Sequence, residues 1–230
     1  QKNLFGEAQF FGGDPFHEGG TSEGINVKLA AQKIIQAMRK VNPQAVWVLQ
    51  GWQHNPVKEL MEGVKPGETI ILDLMACERP QWGGVKTSMF HKPEGHWNHQ
   101  WIWCALPNFG GKTGLHGKMS SYASGPVFAK HHPMGKNISG IGTAPEGIGT
   151  IPVVYDMVYD MAWRTDSIHI HLFQQQSIPH ANLFIRSAST IRVERVTVDT
   201  FHYNLHTIDI NSVPRTKLYR TKPDAFLVWM

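Results

Sequence analysis

Up to about residue 163 the chain alternates short apolar runs with helix-patterned segments, and a polar or aromatic cluster follows each run. This alternation constrains the fold most strongly, because strand, loop, helix, strand is the pattern of parallel βα units. Strands are expected over residues 9–12, 45–49, 69–75, 101–106 and, with the poorest pattern, 140–143. The first helix is expected over 26–39, where Val27, Ala30, Ala31, Ile34, Ile35 and Met38 recur at helical spacing before Asn42-Pro43 ends the pattern. Further helices are expected over 56–62 and 152–162. These lengths suit a (β/α) barrel or a doubly wound sheet. A dinucleotide-binding sheet fits less well, since no G-x-G-x-x-G follows a strand and opens a helix. In a barrel the loops after the strands form the active face. Residues 14–18, 50–52, 77–80, 108–111 and 146–147 would then ring one mouth.

Five strands cannot close an eight-strand barrel. The expected fold is therefore α/β, a partial (β/α)8 TIM-type barrel holding only the C-terminal strands, over residues 1–165. Residues 166–230 read as a separate, β-leaning tail. All 22 Gly lie at or before Gly149, and the tail has alternating stretches such as Ile191-Arg192-Val193-Glu194-Arg195-Val196. The tail is either a small β appendage or sequence foreign to the fold, as a shifted reading frame would produce.

Composition narrows the function. The chain is 41% hydrophobic and 17% charged, which is globular rather than disordered. Its net charge of +4 comes from scattered Lys and Arg, with no basic run or basic helix face, so nucleic acid is not an expected partner. No stretch of eighteen apolar residues is present, so no membrane span is expected. The chain opens at Gln1 without an initiating Met, and the absence of a leader says nothing about export. Cys77 and Cys104, the only cysteines, sit in apolar strand-like runs and read as buried free thiols.

Two carboxylates carry the chemistry. Glu18 and Glu146 each follow a strand in a Gly- and Pro-rich loop. If the strands are consecutive, the two lie four strand positions apart, on opposite walls of an eight-strand mouth. Glycoside hydrolysis needs such a pair: one carboxyl protonates the leaving oxygen while the other attacks, or activates water, at the anomeric carbon. The bland alternative is that each is a surface residue, or that Glu18 favours the N-terminus of the next helix.

Ordered motifs add a resemblance. Asp14-Pro15-Phe16-His17-Glu18, Leu49-Gln50-Gly51-Trp52, Leu72-Asp73-Leu74, Ile102-Trp103-Cys104, Asn108-Phe109-Gly110-Gly111, Gly114-Leu115-His116-Gly117 and Gly142-Thr143-Ala144-Pro145-Glu146-Gly147-Ile148 follow one another. Val153-Val154-Tyr155 and Trp163-Arg164-Thr165-Asp166 continue the set. Over about residues 4–170 the chain resembles glycoside hydrolase family 89, the α-N-acetylglucosaminidases. The resemblance implies a retaining glycosidase acting on glycans with terminal α-linked N-acetylglucosamine. Glu18 would be the general acid/base and Glu146 the nucleophile. It further implies that Trp52 and Trp103 shape the sugar pocket, that Asn108 lies near its wall, and that no metal or organic cofactor is needed. It implies a secreted or periplasmic protein in a bacterium, and a lysosomal one in animals. His17 departs from those relatives that carry Asn before the acid/base; either residue could bond a sugar hydroxyl, or His17 could merely support the loop.

Other features weigh less. His91, His96 and His99, the His131-His132 pair, and His169 and His171 lack the tight spacing of zinc ligands and read as structural or surface residues. Trp97, Trp101 and Trp103 read as half core. Gly110-Gly111-Lys112-Thr113-Gly114 fails the P-loop spacing, because Leu106 stands where the first Gly belongs. The competing class is a non-catalytic carbohydrate-binding or folding-incompetent fragment. Oligomeric state is not legible.

Overall fold

A computed structural model of the chain describes residues 6–83, 89–108, 118–146 and 152–168. Among these residues lie five strands, β1 (Phe10–Gly12), β2 (Val46–Gly51), β3 (Thr69–Asp73), β4 (Gln100–Ala105) and β5 (Ile138–Thr143). All neighbouring pairs are parallel and the spatial order is β1-β2-β3-β4-β5. A doubly wound sheet reverses its strand order at a switch point. This sheet never reverses, which is the winding of a barrel. The expected tail beyond residue 168 lies outside the described residues.

The helices are α1 (Val27–Val41), α2 (Lys58–Met61), α3 (Met119–His131) and α4 (Pro152–Asp160). Asn26 caps α1, its side chain accepting from the Leu29 N–H at 2.8 Å. The Asn42 N–H bonds Met38 O where α1 stops, before Pro43.

The two sheet faces differ. On one, Trp47, Leu49, Ile71, Trp101, Trp103 and Ile141 pack with Val27, Ala31 and Ile35 of α1, Tyr122 and Ala123 of α3, and Val154 and Met157 of α4. On the other, Ile70, Leu72, Ile102 and Cys104 pack with Leu74, Met75, Leu106 and Ala144, and no helix residue joins them. Among the described residues helices thus cover one face only, and the opposite face is the inner wall of the barrel. The alternation follows the strand period of two.

One helix was not expected, and two expectations are corrected. The helix α3 was not legible, because Gly125 and Pro126 interrupt it and Ser120, Ser121 and Ser124 weaken its pattern. In the structure it forms because Tyr122, Ala123, Val127 and Ala129 are buried against the sheet. Cys77 lies past the end of β3 rather than in a strand, although it is buried and free like Cys104. Trp101 and Trp103 are not divided between core and pocket. They are two residues apart on one strand, so both face the helices, and both are buried.

Candidate active site

Because all strands run parallel, the loops that leave them emerge at one end of the sheet. The loop after β1 is shaped by β2. Gly13 donates its N–H to Val48 O at 3.3 Å, and the Trp47 indole donates to Gly13 O at 2.7 Å. The Asp14 carboxylate then accepts from the Gln50 N–H at 2.6 Å, extending the pairing past the end of β1. Phe16 and Glu18 take left-handed backbone conformations, φ 62° and 41°. Such values are uncommon for residues with a side chain and occur in tight turns and functional loops. Gly20 closes the turn by donating to His17 O at 3.1 Å; a Cβ there would stand 2.9 Å from Phe16 Cα. The result is an exposed Glu18 whose Oε1 accepts from Trp52 Nε1 at 2.8 Å. Trp52 itself is half-buried and rests on the inner-face cluster.

His17 is half-buried. Its Nε2 is enclosed beside a cavity of about 10 Å³ that Leu49, Pro56 and Leu60 help to line. That end of the ring points into the protein, toward the junction of β2 and α2.

At the other edge of the sheet, Ala144 N–H donates to Ala105 O at 2.9 Å and Glu146 N–H to Asn108 O at 3.2 Å. These bonds carry the β4–β5 pairing beyond both strands and leave Glu146 exposed. Asn108 is 1% exposed and serves here as the backbone partner of Glu146. Residues 109–111, 114–117 and 147–148, which complete the motif set, lie outside the described residues. Glu18 and Glu146 therefore leave the first and last of five consecutive strands, at the same end.

Trp103, an expected pocket residue, lies on the helix-facing side of the sheet. It is 1% exposed and faces α3, where an added Cβ on Gly125 would stand 2.9 Å from its Cζ2. The parity of β4 puts Ile102 and Cys104, not Trp103, on the inner wall.

A buried polar cluster behind the mouth was not legible in the sequence. Asp73 ends β3 on the helix-facing side and is fully buried. Its Oδ2 accepts from Gln81 N at 2.8 Å and Trp82 N at 3.0 Å, and His96 Nε2 lies 3.5 Å away. Lys92 Nζ donates to Asn55 O at 2.9 Å and to the Gln81 side chain, with the Trp97 ring centroid 5.5 Å away. Gln81 Nε2 donates to Gln53 O at 2.8 Å. Burial lowers the Lys92 pKa to about 8, with the Asp73 charge pulling it back up. Burial also lowers the His96 pKa, again opposed by Asp73. The one signal available was an Asp closing an apolar strand, Leu72-Asp73-Leu74, whose buried carboxylate must find partners.

Among the described residues no group of three or more His, Cys, Asp or Glu could hold a metal ion. The histidines that invited that reading have protein partners. His91 Nε2 is 3.0 Å from Gly83 O, His99 Nδ1 is 2.7 Å from the Thr69 hydroxyl, and His131 Nδ1 is 2.9 Å from Val127 O. His132 Nδ1 accepts from the Met134 N–H at 3.1 Å. His169 and His171 lie outside the described residues. No helix among the described residues is long and apolar enough to cross a membrane.

Comparison with known proteins agrees with this geometry. Residues 1–165 match the profile of the alpha-N-acetylglucosaminidase (NAGLU) tim-barrel domain. Human alpha-N-acetylglucosaminidase is 34% identical over 175 residues, a span that covers 71% of this chain and 22% of the human protein. A variant of a Clostridium perfringens family 89 enzyme, solved with its substrate GlcNAc-alpha-1,4-galactose, superposes with a TM-score of 0.67 at 31% identity. That match covers 78% of this chain and 19% of the bacterial one. A family 89 glycoside hydrolase from the same organism in complex with PUGNAc gives a TM-score of 0.65 at 33% identity, over 76% and 19% of the two chains. The chain thus spans about a fifth of the length of these relatives.

Proposed function

The chain belongs to the α-N-acetylglucosaminidase family, glycoside hydrolase family 89, and from that premise we propose that it carries the catalytic carboxylates of a retaining glycosidase. Its substrate is a glycan with terminal α-linked N-acetylglucosamine, the sugar held by the bacterial relative in its substrate complex. The observation that carries this reading is the pair Glu18 and Glu146, both exposed at one end of a parallel sheet and four strands apart.

In this mechanism Glu146 attacks the anomeric carbon, and the bond to the leaving oxygen breaks as Glu18 delivers its proton to that oxygen. Water then enters. Glu18, now ionised, takes its proton, the oxygen bonds the anomeric carbon, and Glu146 leaves as a carboxylate. Two inversions give net retention, which requires carboxyl groups about 5–5.5 Å apart. Trp52 orients Glu18 through its indole N–H and offers a ring edge at the mouth. Asn108 fixes the backbone of Glu146, and His17 supports the loop of Glu18. The chemistry calls for no cofactor. On this reading the protein is secreted or periplasmic if bacterial, and lysosomal if animal. Because five strands do not close a barrel, the 230 residues by themselves turn over substrate weakly or not at all.

The test is hydrolysis of an aryl α-N-acetylglucosaminide by the complete gene product and its variants. Glu146→Ala should lose turnover and regain it with azide, giving the glycosyl azide of inverted configuration. Glu18→Ala should retain activity only on substrates with good leaving groups. Full activity in Glu146→Ala without azide would refute the assignment and favour a sugar-binding role for the pair.

A further inference from the structure

This inference rests on the reading of Glu18 as the acid/base. Lys92 is 7% exposed, an unusual place for an ammonium group, which loses its hydration on burial and must recover it from protein acceptors. Within its own segment Lys92 faces the Trp97 ring, while Asp73 ties Gln81 and Trp82 to the end of β3. The Lys92 bonds lead elsewhere. One reaches Asn55 O directly; the other reaches the Gln81 side chain, whose amide donates to Gln53 O. Two backbone carbonyls on either side of His54 are thereby held from the β3–β4 connection.

Asn55 is where the neighbouring loops meet. Its N–H donates to Trp52 O at 2.9 Å, and its side-chain amide donates to Phe16 O at 3.4 Å. Trp52 in turn donates to Glu18. A continuous path of hydrogen bonds therefore runs from Lys92 through Asn55 to Trp52 and Glu18, and a branch reaches the turn that carries Glu18. The nearby Lys58–Glu94 ion pair, 2.7 Å long, is about half exposed at both ends and adds little.

We propose that Lys92 is a positioning residue for Glu18, holding the loop after β2 so that the Trp52 indole stays bonded to the Glu18 carboxylate. Lys92 touches neither carboxylate nor substrate in this role. Removing its charge frees residues 53–55, and the Trp52–Glu18 bond is lost while the strands and their packing persist.

The indole N–H resonances of the 230-residue chain, labelled with ¹⁵N on tryptophan, report this directly. Trp52→Phe assigns the resonance, and Glu18→Gln gives its position without the carboxylate acceptor. Trp47, whose indole bonds Gly13 O beside the same mouth, is the internal control. In Lys92→Met the Trp52 resonance is expected to move toward its position in Glu18→Gln, while that of Trp47 keeps its position. Gln81→Met, which cuts the second branch without touching the charge, is expected to move the Trp52 resonance the same way by less and carries the test if Lys92→Met does not fold. An unmoved Trp52 resonance in the folded variant, or Trp47 moving in step with Trp52, overturns the proposal.

Kinetics of the complete gene product separate this proposal from the reading beneath it. Lys92→Met should lower kcat/KM about tenfold or more for a poor alkoxide leaving group, and leave it unchanged for dinitrophenolate, which needs no acid. Equal losses on both substrates would mean a merely structural role. A Glu18→Ala variant without this leaving-group dependence would instead remove Glu18 from the acid role, whatever Lys92 does.

Discussion

Replacing Gly125 with Ala sets two effects of similar size against each other. In a helix interior Ala is favoured over Gly by about 0.8–1.0 kcal/mol. Against that, the new methyl would stand 2.9 Å from Trp103 Cζ2 and 3.4 Å from Cε2. Trp103 is 1% exposed and held between the paired positions of Asp73 and Ile141, so the indole has no room to step aside. Overpacking of this kind costs about 1–3 kcal/mol. The clash should win, leaving Gly125→Ala about 1 kcal/mol less stable. Trp103→Phe removes the outer ring of the indole and opens the space the methyl needs. In that background the helix preference should act alone, and the same Gly125→Ala change should stabilise by about 1 kcal/mol. The coupling between the two sites is then roughly 2 kcal/mol, well above the ~0.5 kcal/mol scatter of independent sites. Urea unfolding of the chain and its three variants measures it through the midpoints, provided the slopes agree. Additive effects would refute the packing argument. In the complete gene product Trp103→Phe should also leave KM unchanged, whereas a raised KM would return Trp103 to the sugar pocket.

Further outcomes are expected. With the Lys92 pKa lowered from 10.5 to about 8, the unfolded chain holds more protons than the folded one between those values, so stability should rise with pH across that window. Lys92→Met should remove that rise, as urea midpoints at a series of pH values would show. Burial lowers the His96 pKa below its ordinary 6.5, so its contribution is present above that pH and lost as the pH falls and the unfolded imidazole charges first; an acid unfolding curve unchanged by His96→Asn would contradict this. Burial pushes the Cys77 thiol up to about 12 and raises Cys104 as well, so an aromatic disulfide reagent at mildly alkaline pH should label both only at the rate of unfolding. An experimental structure of the complete gene product should place the Glu18 and Glu146 carboxyl groups about 5–5.5 Å apart, and a separation beyond roughly 10 Å would defeat the retaining reading.

The strands were legible because each is a short apolar run stopped by Gly, Pro or a polar cluster, and α1 because its apolar positions recur with the helical period. The loops that carry Glu18 and Glu146 were legible as strand ends because Gly, Pro and polar residues follow the apolar runs there, and the roles proposed for the two carboxylates come from the ordered motifs. The sheet face that Trp103 occupies was not legible. Its neighbour Trp101 has the same parity, and a motif such as Ile102-Trp103-Cys104 names a residue without saying which sheet face it occupies. The helix α3 escaped because propensity argues against Gly125 and Pro126, and burial against the sheet overrides it. The cluster of Asp73, Gln81, Lys92 and His96 has no period at all. Its members come from a strand end and an irregular connection, and only the folded chain brings them into contact.

The inner face of the sheet has an electrostatic consequence. Ile70, Leu72, Ile102 and Cys104 fill it, and Leu74, Leu106 and Ala144 cap it where the strands end. Among the described residues no charged group belongs to this layer, and Trp52, the hydrogen-bond partner of Glu18, rests on it. Such a floor is an insulator. Two unit charges about 4 Å apart attract by roughly 1 kcal/mol in water but by about 4 kcal/mol where the effective dielectric constant is about 20. Positive charge gathering on a sugar ring above this layer would therefore feel the carboxylates at the mouth with little screening from below. The residues that make the field effective are those with no charge of their own.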